Sequence, residues 1–392
     1  MSYCGRFAPS PSGRLHLGSL VTAYASYFRA LSCQGKFIIR IEDLDFPRCP
    51  PENTPIMLQE LELLGLKSSC QPIIQSEQLE VYNQALSTLI GQGKAYYCQC
   101  TRALIKQRPC PCALPKIQEQ IQQGALDHVA IRMDLSAYLK HHPSFVDGNL
   151  GLIEQSALDH ELAHSLVLKR ADDIIAYNLA VVLDDHNEGI TEVVRGADML
   201  DATFLQLCLY EILGFTAPKF FHVALITDRS GLKFSKQNKA PAVLTYSSPH
   251  QALLHTVKLL GQTQVQEELI LTLDKLYGAL AQLVSPVLES LCAKHASELS
   301  VYELVNGYLS SCNATYPSTE GVVSLQDLCE RHKSELIAPR LLGKTILESQ
   351  TEANLYIGQQ LALEYQHFHA ALLEALTQSF NAQNMPNSPI VI

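Results

Sequence analysis

The chain has 392 residues, of which 47% are apolar, and a formal net charge of −10. This is enough to bury a sizeable core in two or three domains. No run of 18 or more apolar residues occurs, which excludes a membrane-spanning helix.

No basic start with an apolar run behind it opens the sequence, so no secretion signal is expected. Twelve cysteines then suit a reducing compartment, and a cytoplasmic location is expected. The charge taken alone argues against a nucleic-acid binder, but phosphate contacts need only a local basic patch. Residues 81–118 hold no Asp or Glu, yet carry Lys94, Arg102, Lys106, Arg108 and Lys116. A second stretch sets Lys219, Arg229, Lys233, Lys236 and Lys239 against one acid, Asp228. Each stretch reads either as a solvated face or as a polyanion contact.

In chain order, residues 6–8 predict a short strand and residues 9–13 (PSPSG) a turn. Over 17–33 the spacing of Leu20, Tyr24, Tyr27, Phe28 and Leu31 predicts an amphipathic helix, ended by Gly35. Residues 37–41 (FIIRI) read as a buried parallel strand. Strand, crossover helix, strand is the unit of a doubly wound sheet, so residues 1–92 are assigned to the first half of an α/β core. Residues 93–166 are irregular, with a polar helix near 116–123 and a strand at 129–133, and are read as a small inserted domain. The α/β pattern returns at 173–177, 179–183 and 190–194 and closes at 222–226, so 167–245 is the second half of the core. Residues 246–392 are read as a C-terminal helical region. There Leu361, Tyr365, Phe368, Leu372, Leu376 and Phe380 form one apolar stripe. Within it, residues 313–321 read as a linker and 381–392 as a frayed tail.

Chemistry concentrates in four segments. The first is the loop Pro9-Ser10-Pro11-Ser12-Gly13-Arg14-Leu15-His16-Leu17-Gly18-Ser19, between the first strand and the first helix. Ligands of open α/β folds sit at the carboxyl ends of strands, and phosphates at helix N-termini. His16 and Ser19 can donate to a nucleotide phosphate as charge develops, and Gly18 lets the backbone come close. The second segment, Arg40-Ile41-Glu42-Asp43-Leu44-Asp45, reads as a surface acidic cluster or as a carboxylate site for an amino group. The third, residues 172–201, contains Tyr177 and Arg195. Arg195 can pair with a carboxylate in bidentate fashion or sit in a structural ion pair. The fourth, Lys233-Phe234-Ser235-Lys236-Gln237, puts two lysines three apart in a polar loop, where they can hold ATP phosphates as pyrophosphate leaves. Beside these, Cys98, Cys100, Cys110 and Cys112 form a C-x-C-x9-C-x-C pattern, which suits a closed tetrahedral zinc site or a set of reduced thiols.

Residues 6–20, RFAPSPSGRLHLGSL, resemble the HIGH-motif segment of class I glutamyl-type aminoacyl-tRNA synthetases. His-x-Gly-Ser, rather than His-x-Gly-Gly, is typical of the glutamyl-queuosine tRNA(Asp) branch, as is the continuation of the KLSKQ-like loop into Gln237-Asn238 and Ala240-Pro241. RIEDLD, AYNLAVVLDD and VVRGAD resemble further family segments, and together the likeness covers residues 6–260. It implies a Rossmann-like core with an inserted acceptor-binding zinc subdomain. The implied L-glutamate site is Arg6, Phe7, Ala8, Pro9 and Ser10 with Glu42, Tyr177 and Arg195. ATP would lie against His16, Gly18, Ser19 and Lys236, with His16, Lys233 and Lys236 catalytic and Mg2+ accompanying the nucleotide. The family's C-x-C pair falls on Cys98 and Cys100; Cys110 and Cys112 complete the zinc set on chemical grounds. The implied partners are ATP, L-glutamate and tRNA(Asp) carrying queuosine. The helical tail exceeds the branch's short form. It leaves open a glutamyl-tRNA synthetase that charges tRNA(Glu) at its 3′ end, and a catalytically silent tRNA-binding paralogue.

Overall fold

A computed structural model of the protein describes residues 2–107, 110–124, 128–155, 165–227, 233, 241–247, 249–261, 315–318, 321–324, 373, 377 and 380–391. The chain divides into two compact units. One comprises Met1–Leu61, Leu66–Pro241 and Met385–Ile392; the other comprises Glu62–Gly65 and Ala242–Asn384.

The chain begins β1 (Cys4–Phe7), α1 (Leu17–Ser32), β2 (Lys36–Ile41), α2 (Asn53–Leu63), β3 (Ile73–Ile74) and α3 (Leu79–Gly91). It continues β4 (Ala95–Cys98), α4 (Arg102–Gln107), α5 (Pro115–Gln123), β5 (Ala130–Met133), α6 (Ser136–Leu139), β6 (Ser144–Asp147), β7 (Gly151–Glu154) and β8 (Leu166–Lys169). Then follow α7 (Tyr177–Asn187), β9 (Glu192–Gly196), α8 (Leu200–Leu213), β10 (Lys219–Val223) and β11 (Ile226–Thr227). The second unit contains α9 (Pro249–Leu259) and an antiparallel pair of strands, β12 (Thr315–Ser318) and β13 (Gly321–Ser324). The last strand is β14 (Ile390–Val391).

Seven strands form the main sheet in the order β3-β2-β1-β9-β10-β6-β7, and every pair is parallel except β6 with β7. The order reverses direction between β1 and β9. A crevice therefore opens beyond the carboxyl ends of those two strands. The helix α1 packs on the sheet because Leu17, Leu20, Val21, Tyr24 and Phe28 fall on one face and are all buried. Its end differs in detail from expectation. Gln34, at φ 51°, makes the left-handed turn. Gly35 serves close approach instead, since a Cβ there would lie 2.5 Å from the Tyr3 carbonyl oxygen.

Three other segments depart from the sequence reading. β6 and β7 lie in the stretch read as an insertion but extend the main sheet, while β8 joins a separate antiparallel sheet, β4-β5-β8. Thr315–Ser318 and Gly321–Ser324, read in part as a linker, pair as the antiparallel strands β12 and β13. The tail is not frayed: β14 pairs in parallel with β11, the Ile390 N–H donates to the Leu225 carbonyl at 2.8 Å, and Met385 is buried. Backbone pairing holds this terminal segment in place. The apolar stripe of residues 361–380 lies outside the described residues, Phe380 apart. Among the described residues no helix is long and apolar enough to cross a membrane.

Candidate active site

A cleft of about 760 Å³ opens at the switch between β1 and β9. The loop after β1 contributes Phe7, Ala8, Pro9 and Ser10, and the start of α1 contributes His16, Gly18 and Ser19. Gly196, Asp198 and Lys233 line it from the β9 side and from beyond β11. His16 caps α1: its Nδ1 accepts from the Ser19 N–H at 3.2 Å. That fixes the proton on Nε2, which donates to Ser19 Oγ at 2.9 Å. Imidazole and hydroxyl thus form one unit at a helix N-terminus, where anions are favoured. Lys233 Nζ pairs with Asp198 Oδ2 at 2.5 Å. Gly196 permits this arrangement, since a Cβ there would lie 2.5 Å from Asp198 Oδ1. Lys236 lies outside the described residues.

Arg6, Glu42, Tyr177 and Arg195 do not line that cleft. They are joined to it through the chain: Arg6 precedes Phe7, Arg195 precedes Gly196, and the Glu42 N–H donates to Pro9 O at 3.0 Å. Arg6 and Arg40 are buried among four carboxylates. Arg40 meets Asp185 and Glu188 at 2.7 Å each, Glu42 at 3.6 Å and Asp184 at 3.7 Å. Arg6 Nε donates to Asp185 at 3.1 Å. With two cations for four acids, the crowding appears in the titration. Burial, reinforced by Asp184 and Asp185 and opposed by Arg40 and Arg6, pushes the Glu42 carboxyl up to about 7. Its Oε1 is buried with no hydrogen-bond partner. Glu42 is therefore no member of a surface acidic cluster. Its neighbour Asp43 accepts from Ser76 N and Oγ at 2.8 and 2.7 Å, and so serves structure.

Arg195 is buried and makes no ion pair among the described residues, so it is not the structural salt bridge that its sequence context allowed. Neutral acceptors surround it. Nε donates to His222 Nε2 at 3.2 Å, Nη1 to Gln206 Oε1 at 2.8 Å, and Nη2 to Thr203 Oγ1 at 2.7 Å. Two longer contacts use the remaining N–H groups: Nη1 to Tyr177 Oη at 3.4 Å and Nη2 to Met199 O at 3.5 Å. The Phe220 ring lies 5.3 Å from the guanidinium carbon. Nothing in the sequence marks Gln206, Thr203 or His222, whose spacing from Arg195 follows from the packing of β9, α8 and β10.

At the end of β4 the four cysteine sulfurs lie within 4.8 Å of one another. Cys98 to Cys110 is 3.5 Å, Cys100 to Cys112 is 3.6 Å, and Cys100 to Cys110 is 3.8 Å. A tetrahedron with metal–sulfur bonds of about 2.3 Å has edges of about 3.8 Å, so this donor set fits a metal ion. Gln118 of α5 ties the two pairs together: its Nε2 donates to Tyr97 O and Cys112 O, each at 2.6 Å.

A family model described as tRNA synthetases class I (E and Q), catalytic domain, matches residues 4–294. The Glutamyl-Q tRNA(Asp) synthetase of Escherichia coli K12 is 40% identical over 266 residues, 66% of this chain and 82% of that protein. The protein of the same name from Vibrio parahaemolyticus is 41% identical over 264 residues, 66% of this chain and 84% of that one. Among solved structures, a glutamate tRNA ligase from Elizabethkingia meningosepticum in complex with its amino acid gives a TM-score of 0.63 over 96% of this chain and 92% of that one. Its 19% identity makes that a likeness of fold. A glutamate-tRNA synthetase from Elizabethkingia anophelis is 27% identical with a TM-score of 0.52, over 61% of this chain and 53% of that one.

Proposed function

Since the chain belongs to the class I tRNA synthetase family of the E and Q type and is a ligase, we propose that it activates L-glutamate with ATP and passes the glutamyl group to queuosine at the wobble position of tRNA(Asp). One observation carries the amino-acid half. Arg195 is a buried cation without a counter-ion among the described residues, and Glu42 is a buried acid with an oxygen that lacks a hydrogen-bond partner. Charges left this way are costly unless a ligand completes them. An amino acid brings a carboxylate for one and an ammonium for the other. Arg6, Phe7, Ala8, Pro9, Ser10 and Tyr177 complete the pocket in this reading. The queuosine half rests on the relatives' name and on the Ser19 and Gln237-Asn238 features of the sequence.

In the first step the glutamate α-carboxylate attacks the α-phosphorus of ATP, a carboxyl–phosphate bond forms and pyrophosphate leaves. The His16–Ser19 unit with Gly18, Lys233 and Lys236 offsets the charge that builds on the phosphates. Magnesium bound with the ATP adds positive charge there. In the second step a queuosine hydroxyl attacks the adenylate carbonyl and AMP leaves. Cys98, Cys100, Cys110 and Cys112 would hold zinc as a closed structural site that stiffens the tRNA-facing domain, with no coordination position left for chemistry. The work is cytoplasmic and needs no membrane.

The test is glutamate-dependent exchange of pyrophosphate into ATP without tRNA, followed by glutamylation of tRNA(Asp) with and without queuosine and of tRNA(Glu). Exchange without tRNA and labelling of the queuosine-bearing tRNA alone support the proposal. Exchange only with tRNA, and charging of tRNA(Glu), would replace it with a glutamyl-tRNA synthetase. No exchange at all would leave a silent tRNA-binding paralogue.

A further inference from the structure

His222 and Asp147 have no part in the chemistry above, yet both side chains are wholly buried directly behind Arg195. Asp147, the last residue of β6, is surrounded by donors. Its Oδ1 accepts from Asn149 N and Leu150 N, each at 2.9 Å, and both oxygens accept from His222 N at 3.1 to 3.2 Å. Such a group is a carboxylate. Burial works against the charge, but the bonds from His222, Leu150 and Asn149 outweigh it and hold the group below the usual range. Its Oδ2 lies 2.7 Å from His222 Nδ1, which must therefore carry the imidazole proton. Burial keeps His222 neutral despite this bond. Nε2 is then a lone pair, and it is the atom 3.2 Å from Arg195 Nε and 3.2 Å from Thr203 Oγ1.

The tautomer decides whether this contact attracts or repels. With the proton on Nδ1, Nε2 accepts from the guanidinium. With the proton on Nε2, two N–H groups would face each other. A carboxylate placed directly on Arg195 would hold it as well but would neutralise it. The imidazole holds it without a direct ion pair, with the Asp147 carboxylate on the far side of the ring.

We propose that Asp147 and His222 are positioning residues for substrate recognition: Asp147 locks the His222 tautomer, and His222 fixes one flank of Arg195 so that its two loosely held N–H groups meet the substrate carboxylate. This rests on the reading of Arg195 as a glutamate contact. The family resemblance at residues 172–201 supplied Arg195 but neither of these two residues.

The experiment is tRNA-independent pyrophosphate exchange with L-glutamate and ATP each varied, on wild type, Asp147→Asn, His222→Gln, the double variant and Arg195→Ala. Asp147→Asn offers Nδ1 a donor and turns the imidazole to the wrong tautomer. It should raise KM for glutamate roughly 10- to 100-fold while KM for ATP and kcat stay within about twofold. Gln at 222 presents a carbonyl acceptor that needs no tautomer lock. Asp147→Asn should therefore add little in the His222→Gln background, whereas a general packing role would give additive losses and move KM for ATP as well. An unchanged KM for glutamate in Asp147→Asn, with Arg195→Ala raised, overturns the proposal and spares the Arg195 reading. An unchanged KM in Arg195→Ala overturns both. Should Asp147→Asn fail to fold, 15N-histidine spectra of the wild type decide the point: a protonated Nδ1 and bare Nε2 at His222 are expected, and the reverse refutes the lock.

Discussion

Glu42→Gln should make the protein more stable and less active, and the stability gain should depend on pH. Glu42 is buried, its nearest cation, Arg40, is 3.6 Å away, and that cation is already engaged by Asp185 and Glu188. Its carboxyl is pushed from an ordinary 4.5 up to about 7, by burial first. At about 1.4 kcal/mol for each tenfold change in proton affinity, ionised Glu42 costs the fold about 3 kcal/mol. The sign follows from proton binding. Below pH 4.5 the group is protonated in both folded and unfolded chains and costs nothing. Between 4.5 and about 7 the folded protein holds the proton more tightly, so stability falls as pH rises, and above 7 the full cost is present. A neutral amide removes this dependence. Glu188, pushed up to about 7 by burial and the same crowding, then faces Arg40 with one fewer competitor. Urea unfolding at about pH 5 and about pH 8 should show the two proteins alike at the acid end and the variant ahead by about 2–3 kcal/mol at the alkaline end. Glutamate affinity should fall in the same variant, because the amide has no charge for the ammonium. In wild type, KM for glutamate should drop as pH rises toward 7, since binding needs the ionised form. Parallel stability curves for the two proteins across that pH range would show that Glu42 carries no such cost and refute the reasoning.

Three further outcomes are expected. Lys236→Ala should cost the exchange reaction on the order of 2–4 kcal/mol of transition-state stabilisation, read as kcat/KM, and a near wild-type rate would remove this lysine from the ATP site. Gly196→Ala forces a Cβ against Asp198, 2.5 Å away, and so disturbs the partner of Lys233. KM for ATP should rise about tenfold with KM for glutamate less affected, and equal changes in both would deny the contact its role. Cys98→Ser should abolish bound zinc, measured by elemental analysis, and lower thermal stability while sparing tRNA-independent exchange. Full metal content in the variant would exclude Cys98 as a ligand.

What could be read from the sequence was local. Residues 4–41 fold nearly as their spacing predicts, because the apolar face of α1 and the run Phe37–Ile41 specify buried elements without help from elsewhere. The four cysteines, two C-x-C pairs separated by nine residues in the sequence, do converge, their sulfurs within 4.8 Å of one another. The surroundings of Arg195 were hidden. His222, Asp147, Thr203 and Gln206 are scattered along the chain, and no period or motif links a lone buried histidine to an aspartate 75 residues earlier. The assignment of β6 to the main sheet rests on a single parallel register, Asp147 beside Phe220, which composition does not signal. The pairing of β14 spans 163 residues, a distance at which the local pattern of the tail carries no information.

That last strand changes what the second unit is. The chain leaves the catalytic unit at Pro241 and rejoins it at Met385, so residues 242–384 are tethered at both ends. In sequence the span is thus an insertion within the catalytic unit rather than an extension past its last residue. A stop codon anywhere in that span would also strip Ile390 from Leu225 and Pro386 from the amide of Asn149, which binds it at 3.0 Å and the carbonyl of His222 at 2.9 Å. Removing residues 242–384 while keeping these contacts would therefore take an internal deletion, not a truncation. A trimmed protein that simply ends early would lose an edge of the fold beside the strand that leads into the lysine loop.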